Sequence, residues 1–297
     1  MNDFSFFDYV ESISKFNLSI DQAKSVKYFE LFLRPSENKK IFILSGYAGT
    51  GKSSLTSLLN NGVKKMGFST RLLAPTGRAA KVLASFCGQK AHTIHKEIYF
   101  GGSQLEEIKR LTPVKNTHKN AIFFVDEASM LSSYSDSQED VFTDLLNFVF
   151  SSKDCKLVFI GDSGQLPPVG QELSPALQGD TLRHLFPNME IQECQLKETH
   201  RTNEFSSILK NATALRNLKV IQQPLIHYLD NNTRKLKGYE VHEELQNSYE
   251  KVGIENTIVL TLSNKQANQW NTGIRTTLFF REEVIEKGET LLIIKNN

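Results

Sequence analysis

The chain has 297 residues, 39% of them hydrophobic and 23% charged, with a formal net charge of +2. That length is room for about two domains at roughly 150 residues each, and the near-neutral balance excludes a chain that is basic throughout, so any surface for nucleic acid has to be local. Three widely separated cysteines, Cys87, Cys155 and Cys194, form no C-x-x-C pair, which argues against a zinc or dithiol site and for buried thiols in a reducing cytosol. The N-terminal stretch carries acids where a signal peptide needs bases, and no apolar run approaches the ~20 residues of a membrane span. A cytoplasmic protein is the expectation.

The first strong signal is the apolar run 41–44, which leads into residues 46–53, Gly-Tyr-Ala-Gly-Thr-Gly-Lys-Ser, a match to G-x-x-x-x-G-K-[ST]. Glycines at Gly46, Gly49 and Gly51 let the backbone curl around phosphate oxygens with its N–H groups inward. On this pattern the loop from Gly46 through Ala48, Gly49, Thr50 and Gly51 to Ser54 cradles ATP, Lys52 reaches the β- and γ-phosphates, and the Ser53 hydroxyl ligates Mg²⁺. Leu55, Leu58 and Leu59 have helical spacing up to Gly67, so the phosphates sit at a helix N-terminus.

Further β-rich runs at 71–74, 121–125 and 157–160 alternate with an Ala-rich helical segment at 77–86 and a helix whose apolar face is Val141, Leu145, Phe148 and Val149. This alternation predicts an α/β fold with a parallel sheet covered by helices. Residues 96–119, with a Gly-Gly pair and Pro113, read as a small insertion in a first domain running to 185. From 186 a second domain is expected, with strands at 191–196 and 257–262 and helices at 203–218 and from 264.

Strand 121–125 ends in Asp126 and Glu127, two carboxylates at the edge where parallel sheets bind ligands. Asp126 is expected in the Mg²⁺ shell, with Glu127 orienting or deprotonating the attacking water. Strand 157–160 runs into Gly161-Asp162-Ser163-Gly164-Gln165, whose Gln165 amide is placed to touch both γ-phosphate and water. His92-x-x-His95 lacks further ligands and His242-Glu243-Glu244 completes no H-E-x-x-H, so zinc is not expected.

Over residues 18–297 these motifs resemble the superfamily 1 helicases, and among them the RecD-like and Dda-like group that moves 5′ to 3′ on single-stranded DNA. The resemblance implies a RecA-like P-loop domain followed by an incomplete second RecA-like domain. Residues 18–22 are similar to the Q motif, implying that Gln22 reads the adenine edge; residues 74–81 and 93–95 are similar to strand-contacting motifs, implying DNA contacts at Pro75, Thr76, Arg78 and His95. In residues 197–201 the resemblance makes Arg201 the arginine that reaches the γ-phosphate, while His200 stands where the family has a tyrosine, as a ring to stack on the base. Residues 288–297 resemble the strand leading towards motif V, and motifs V and VI are not within the chain, so a motor truncated before them is the expectation. Two other readings share the signals: an RNA helicase of the same superfamily, and a nucleotide-gated nucleic-acid-binding module without unwinding.

Overall fold

A computed structural model describes residues 5–99, 113–133, 140–168, 170–199, 207–218, 223–228 and 232–289. The chain divides into two compact units, Met1–Phe205 with Leu215–Val220, and Ser206–Ala214 with Ile221–Asn297.

The first unit is built on β1 (Lys39–Gly46), β2 (Ser69–Ala74), β3 (Ala91–Thr93), β4 (Ala121–Val125), β5 (Lys156–Gly161) and β6 (Met189–Leu196), in the order β3-β2-β4-β5-β1-β6. Every pairing is parallel. Because side chains alternate across a strand, Phe42 and Leu44 enter one core with Phe124 and Val158, whereas Ile41 and Ile43 enter the other with Phe123 and Phe159. These strands are buried on both faces, which is why they read as continuous apolar runs.

Helices α1 (Phe6–Ile13), α2 (Ile20–Leu33), α3 (Lys52–Lys65) and α4 (Gly77–Cys87) fill the first core with Phe6, Phe29, Phe32, Leu55 and Leu83. Phe29 is its centre: its ring lies 5.7 Å from Phe6, 5.3 Å from Phe32 and 5.1 Å, edge-on, from Phe42. The second core is covered by α5 (Ile94–Ile98), α6 (Val141–Phe150) and α7 (Gly179–Leu185) through Ile94, Ile98, Phe142, Leu145 and Leu182. Of the expected insertion, α5 occupies the start, residues 113–119 carry no helix or strand, and 100–112 lie outside the described residues.

The expected domain boundary at 185 moves. Strand 191–196 was assigned to the second domain, yet β6 pairs with β1 over its whole length, from Lys39 opposite Met189 to Gly46 opposite Leu196. The cause is backbone hydrogen bonding: β1 is buried, so the ladder groups on its outer side need a partner, and β6 supplies it as an edge strand. Its half-polar sequence, Met-Glu-Ile-Gln-Glu-Cys-Gln-Leu, matches that exposed position.

In the second unit lie most of α8 (Ser207–Arg216), together with α9 (Val241–Val252) and α10 (Asn264–Gly273), which continues into a π-helical turn, Ile274–Leu278. The expected strand at 257–262 forms no ladder. Its alternation is strand-like, but with no other strand among the described residues of this unit its apolar side chains stay out, Leu262 being 97% exposed.

Candidate nucleotide site

Three strands deliver the site. The C-terminal ends of β1, β4 and β5 open onto a cavity of about 670 Å³ lined by the phosphate loop, by Asp126 and Glu127, and by Asp162 and Gln165. Parallel strands bring these segments, dispersed over 120 residues of sequence, to one edge.

The loop's shape is enforced locally. Gly51 has φ 82°, a left-handed conformation that favours glycine, and a Cβ there would stand 2.5 Å from the Gln22 side-chain nitrogen. At Gly46 a Cβ would meet Thr50 Oγ1 at 2.8 Å. Thr50 is itself buried, its hydroxyl donating to the Tyr47 carbonyl at 2.8 Å. Gly46 and Thr50 therefore shape the loop, whereas Ala48, Gly49, Gly51, Lys52, Ser53 and Ser54 form the wall. α3 begins at Lys52, so its unpaired N–H groups face the cavity mouth. Lys52 Nζ donates to the carbonyls of Gly46 at 2.7 Å and Tyr47 at 3.0 Å, and lies 3.9 Å from Asp162 Oδ2.

Asp126 and Glu127 are consecutive, and on an extended strand consecutive side chains diverge. Here Glu127 adopts φ 53°, ψ 37°, ending the strand in a left-handed turn that lets both carboxylates reach the cavity. Such a conformation at a non-glycine residue costs of order 1 kcal/mol or more. Burial pushes the Asp126 carboxyl up to about 6, and the neighbouring Glu127 charge adds to this, against the opposing hydrogen bond from the Glu127 N–H and the Lys52 charge.

Two residues without a role in the sequence reading complete the site, Asp162 on the cavity wall and Ser129 behind it. Asp162 is buried, accepts from the Gly164 N–H at 2.8 Å and faces Lys52. Ser129, also buried, donates to Gln165 Oε1 at 2.8 Å. With its oxygen engaged, the Gln165 amide is oriented as a donor through Nε2. The sequence signal was present in both cases, an acid after strand β5 and a hydroxyl two residues past the acidic pair.

Thr76 and Arg78, expected to touch a nucleic-acid strand, line this same cavity. Thr76 caps α4, its hydroxyl accepting from the Ala79 N–H at 3.2 Å, and Arg78 is exposed. Pro75 is half-buried beside them, and His95 stands apart on α5, exposed and tilted against Tyr99 at 5.8 Å. Gln22 is not on the cavity wall. It is 2% exposed; its amide nitrogen donates to the Thr50 carbonyl at 3.1 Å and its oxygen accepts from the Ser19 N–H at 3.0 Å. In this structure both ends of the Gln22 amide are engaged within the chain, where they support the phosphate loop. His200 and Arg201 lie outside the described residues.

Against known families, residues 21–234 match the model of an AAA domain. An uncharacterized protein, R530, of Acanthamoeba polyphaga mimivirus is 29% identical over 279 residues, covering 82% of this chain and 53% of that protein. The ATP-dependent DNA helicase dda of Enterobacteria phage T4 is 24% identical over 274 residues, covering 89% of this chain and 59% of the helicase. The ATP-dependent RecD2 DNA helicase of Deinococcus radiodurans is 30% identical over 130 residues, 44% of this chain and 16% of that protein. The chain thus spans a little over half the length of the first two of these relatives.

Proposed function

The chain belongs to the AAA domain family, and from that premise we propose that it is the ATP-hydrolysing motor portion of a superfamily 1B DNA helicase, moving 5′ to 3′ on single-stranded DNA. The observation that carries this reading is the convergence of Lys52, Ser53, Asp126, Glu127, Asp162 and Gln165 on one cavity at the sheet edge. A phosphate-binding loop beside paired carboxylates and an oriented amide is the equipment of phosphoryl transfer to water. The similarity to dda and RecD2 supports the choice of DNA, and the direction rests on the resemblance of the motifs to the RecD-like group. The second unit, on this reading, contributes part of a second RecA-like domain.

Mg²⁺ fits the residues present. Among the described residues no cluster of three or more His, Cys, Asp or Glu side chains could hold a metal, so a cation here would rest on Asp126, the Ser53 hydroxyl and the nucleotide's own phosphates, a sparse set that Mg²⁺ accepts. A desolvated carboxyl pushed up to about 6 is also one that a cation would return to its charged form. When bound with the triphosphate, the ion would neutralise charge on its β- and γ-oxygens.

The chain's own residues do the rest. Lys52 exchanges its carbonyl partners for phosphate oxygens, which are stronger acceptors for an ammonium. The N–H groups opening α3 hold the phosphates in place. Glu127 accepts a proton from the attacking water, and Gln165, its amide fixed by Ser129, donates to the γ-phosphate or to that water. Cleavage of the bond between the β- and γ-phosphates releases ADP and phosphate, and Lys52 returns to the Gly46 and Tyr47 carbonyls.

ATP turnover by the chain, measured while an oligothymidylate is titrated in, tests the reading. Turnover rising with the oligonucleotide supports a strand-coupled motor. A rate that stays flat at every oligonucleotide concentration, both in this chain and in a version completed with motifs V and VI, contradicts it.

A further inference from the structure

A second polar cavity, of about 340 Å³, lies on the α5–α6 face of the sheet and shares no lining residue with the candidate nucleotide cavity. Its lining carries three permanent cations, Arg71, Lys96 and Lys115, against one carboxylate, Glu97, with His92 and His118 beside them. Glu97 is already committed: its Oε1 lies 3.4 Å from Arg71 Nε and 3.1 Å from His118 Nε2. Among the described residues neither Lys96 nor Lys115 makes an ion pair, and the described lining carries more cations than carboxylates.

The cavity is also pre-formed. Asn116, 4% exposed, donates from its amide to the Phe148 and Val149 carbonyls, both at 3.1 Å, and accepts from the His118 N–H at 2.9 Å. Ser152 donates to the His118 carbonyl, and the imidazole stands edge-on to Phe123 at 5.7 Å. The backbone bearing Lys115 and His118 is thereby pinned to the end of α6, while the Lys96 and Lys115 side chains are exposed to an incoming anion.

The rim continues the segment that the sequence marks for strand contact. His92 precedes Thr93 on β3, and the Lys96 N–H donates to Thr93 Oγ1 at 3.2 Å, placing Thr93, His95 and Lys96 in one turn. We propose that this cavity is an additional nucleic-acid contact that grips a backbone phosphate of the single strand through Lys96, Lys115 and Arg71, an inference that rests on the strand-binding reading above. Lysine ammonium groups, a guanidinium and the Thr117 hydroxyl hold a phosphodiester without reading its base.

The test uses the whole chain and the double variant Lys96→Ala, Lys115→Ala, with its fold checked by melting temperature. Affinity for a labelled oligothymidylate is measured across a salt series, and inorganic pyrophosphate is added separately while the imidazole proton resonances of His92 and His118 are followed. The proposal expects roughly tenfold weaker strand binding at low salt and a salt slope shallower by about 0.7, the contribution of one phosphate contact on a single strand. Parent and variant binding the strand with equal affinity and slope would overturn the proposal and leave the motor reading standing. No strand binding by the parent would overturn both. Pyrophosphate moving the imidazole resonances without any change in strand affinity would show a free-anion site and overturn the nucleic-acid assignment.

Discussion

Asp126 sits in an electrostatic conflict, a carboxyl withdrawn from water beside a second acid, and the conflict gives the site a pH signature. Its native pKa, pushed up to about 6, lies above the ordinary value of 3.8 that the unfolded chain has. Between those values the native state holds more protons than the unfolded one, so this group's contribution to stability falls as pH rises from about 4 to 6. In metal-free buffer, Asp126→Asn is expected to match the parent near pH 4 and to exceed it by up to about 3 kcal/mol at pH 7, at about 1.4 kcal/mol per pH unit across the window. Denaturant melts at the two pH values check this, and an Asn variant less stable than the parent at pH 7 would contradict it. A second conflict is avoided at Gln165, where Ser129 fixes which end of the amide faces the cavity. Ser129→Ala should lower kcat for ATP several-fold with little change in KM, and Ser129→Thr should restore it. Loss of ATP affinity with kcat intact would show that the hydroxyl serves only packing.

At the scale of elements, helix packing against the sheet tolerates little added volume. Gly62 of α3 faces α1 so closely that a Cβ would stand 2.6 Å from the Phe6 ring. Gly62→Ala should therefore destabilise the first unit by about 1–3 kcal/mol despite the better helix propensity of alanine, seen as a fall in melting temperature; an unchanged or raised melting temperature would show that α1 moves aside freely. Elements like α3 were legible in the sequence because period and punctuation agree, apolar residues at helical spacing closed by Gly67. The four central strands were legible as apolar runs, since burial on both faces removes the polar alternation. β6 was legible as a strand but not as part of the first sheet, because pairing partners are a property of topology that local pattern does not carry. Residues 257–262 show the reverse, a strand pattern without a partner among the described residues. Within the site the phosphate loop and the acidic pair could be read by spacing alone. The support given by Gln22 and Ser129 could not, since each depends on a partner 28 and 36 residues away.

For the whole molecule, the account requires that binding and hydrolysis be separable. On the proposed reading the loop and the α3 N-terminus hold phosphate, while Glu127 acts on water. The most direct measurement pairs ATP affinity, read from a fluorescent analogue, with single-turnover hydrolysis in the parent and in Glu127→Gln. The account predicts comparable affinity in both and hydrolysis at least about 10²-fold slower in Glu127→Gln, the scale of a lost general base. Hydrolysis by Glu127→Gln at the parent rate would contradict it.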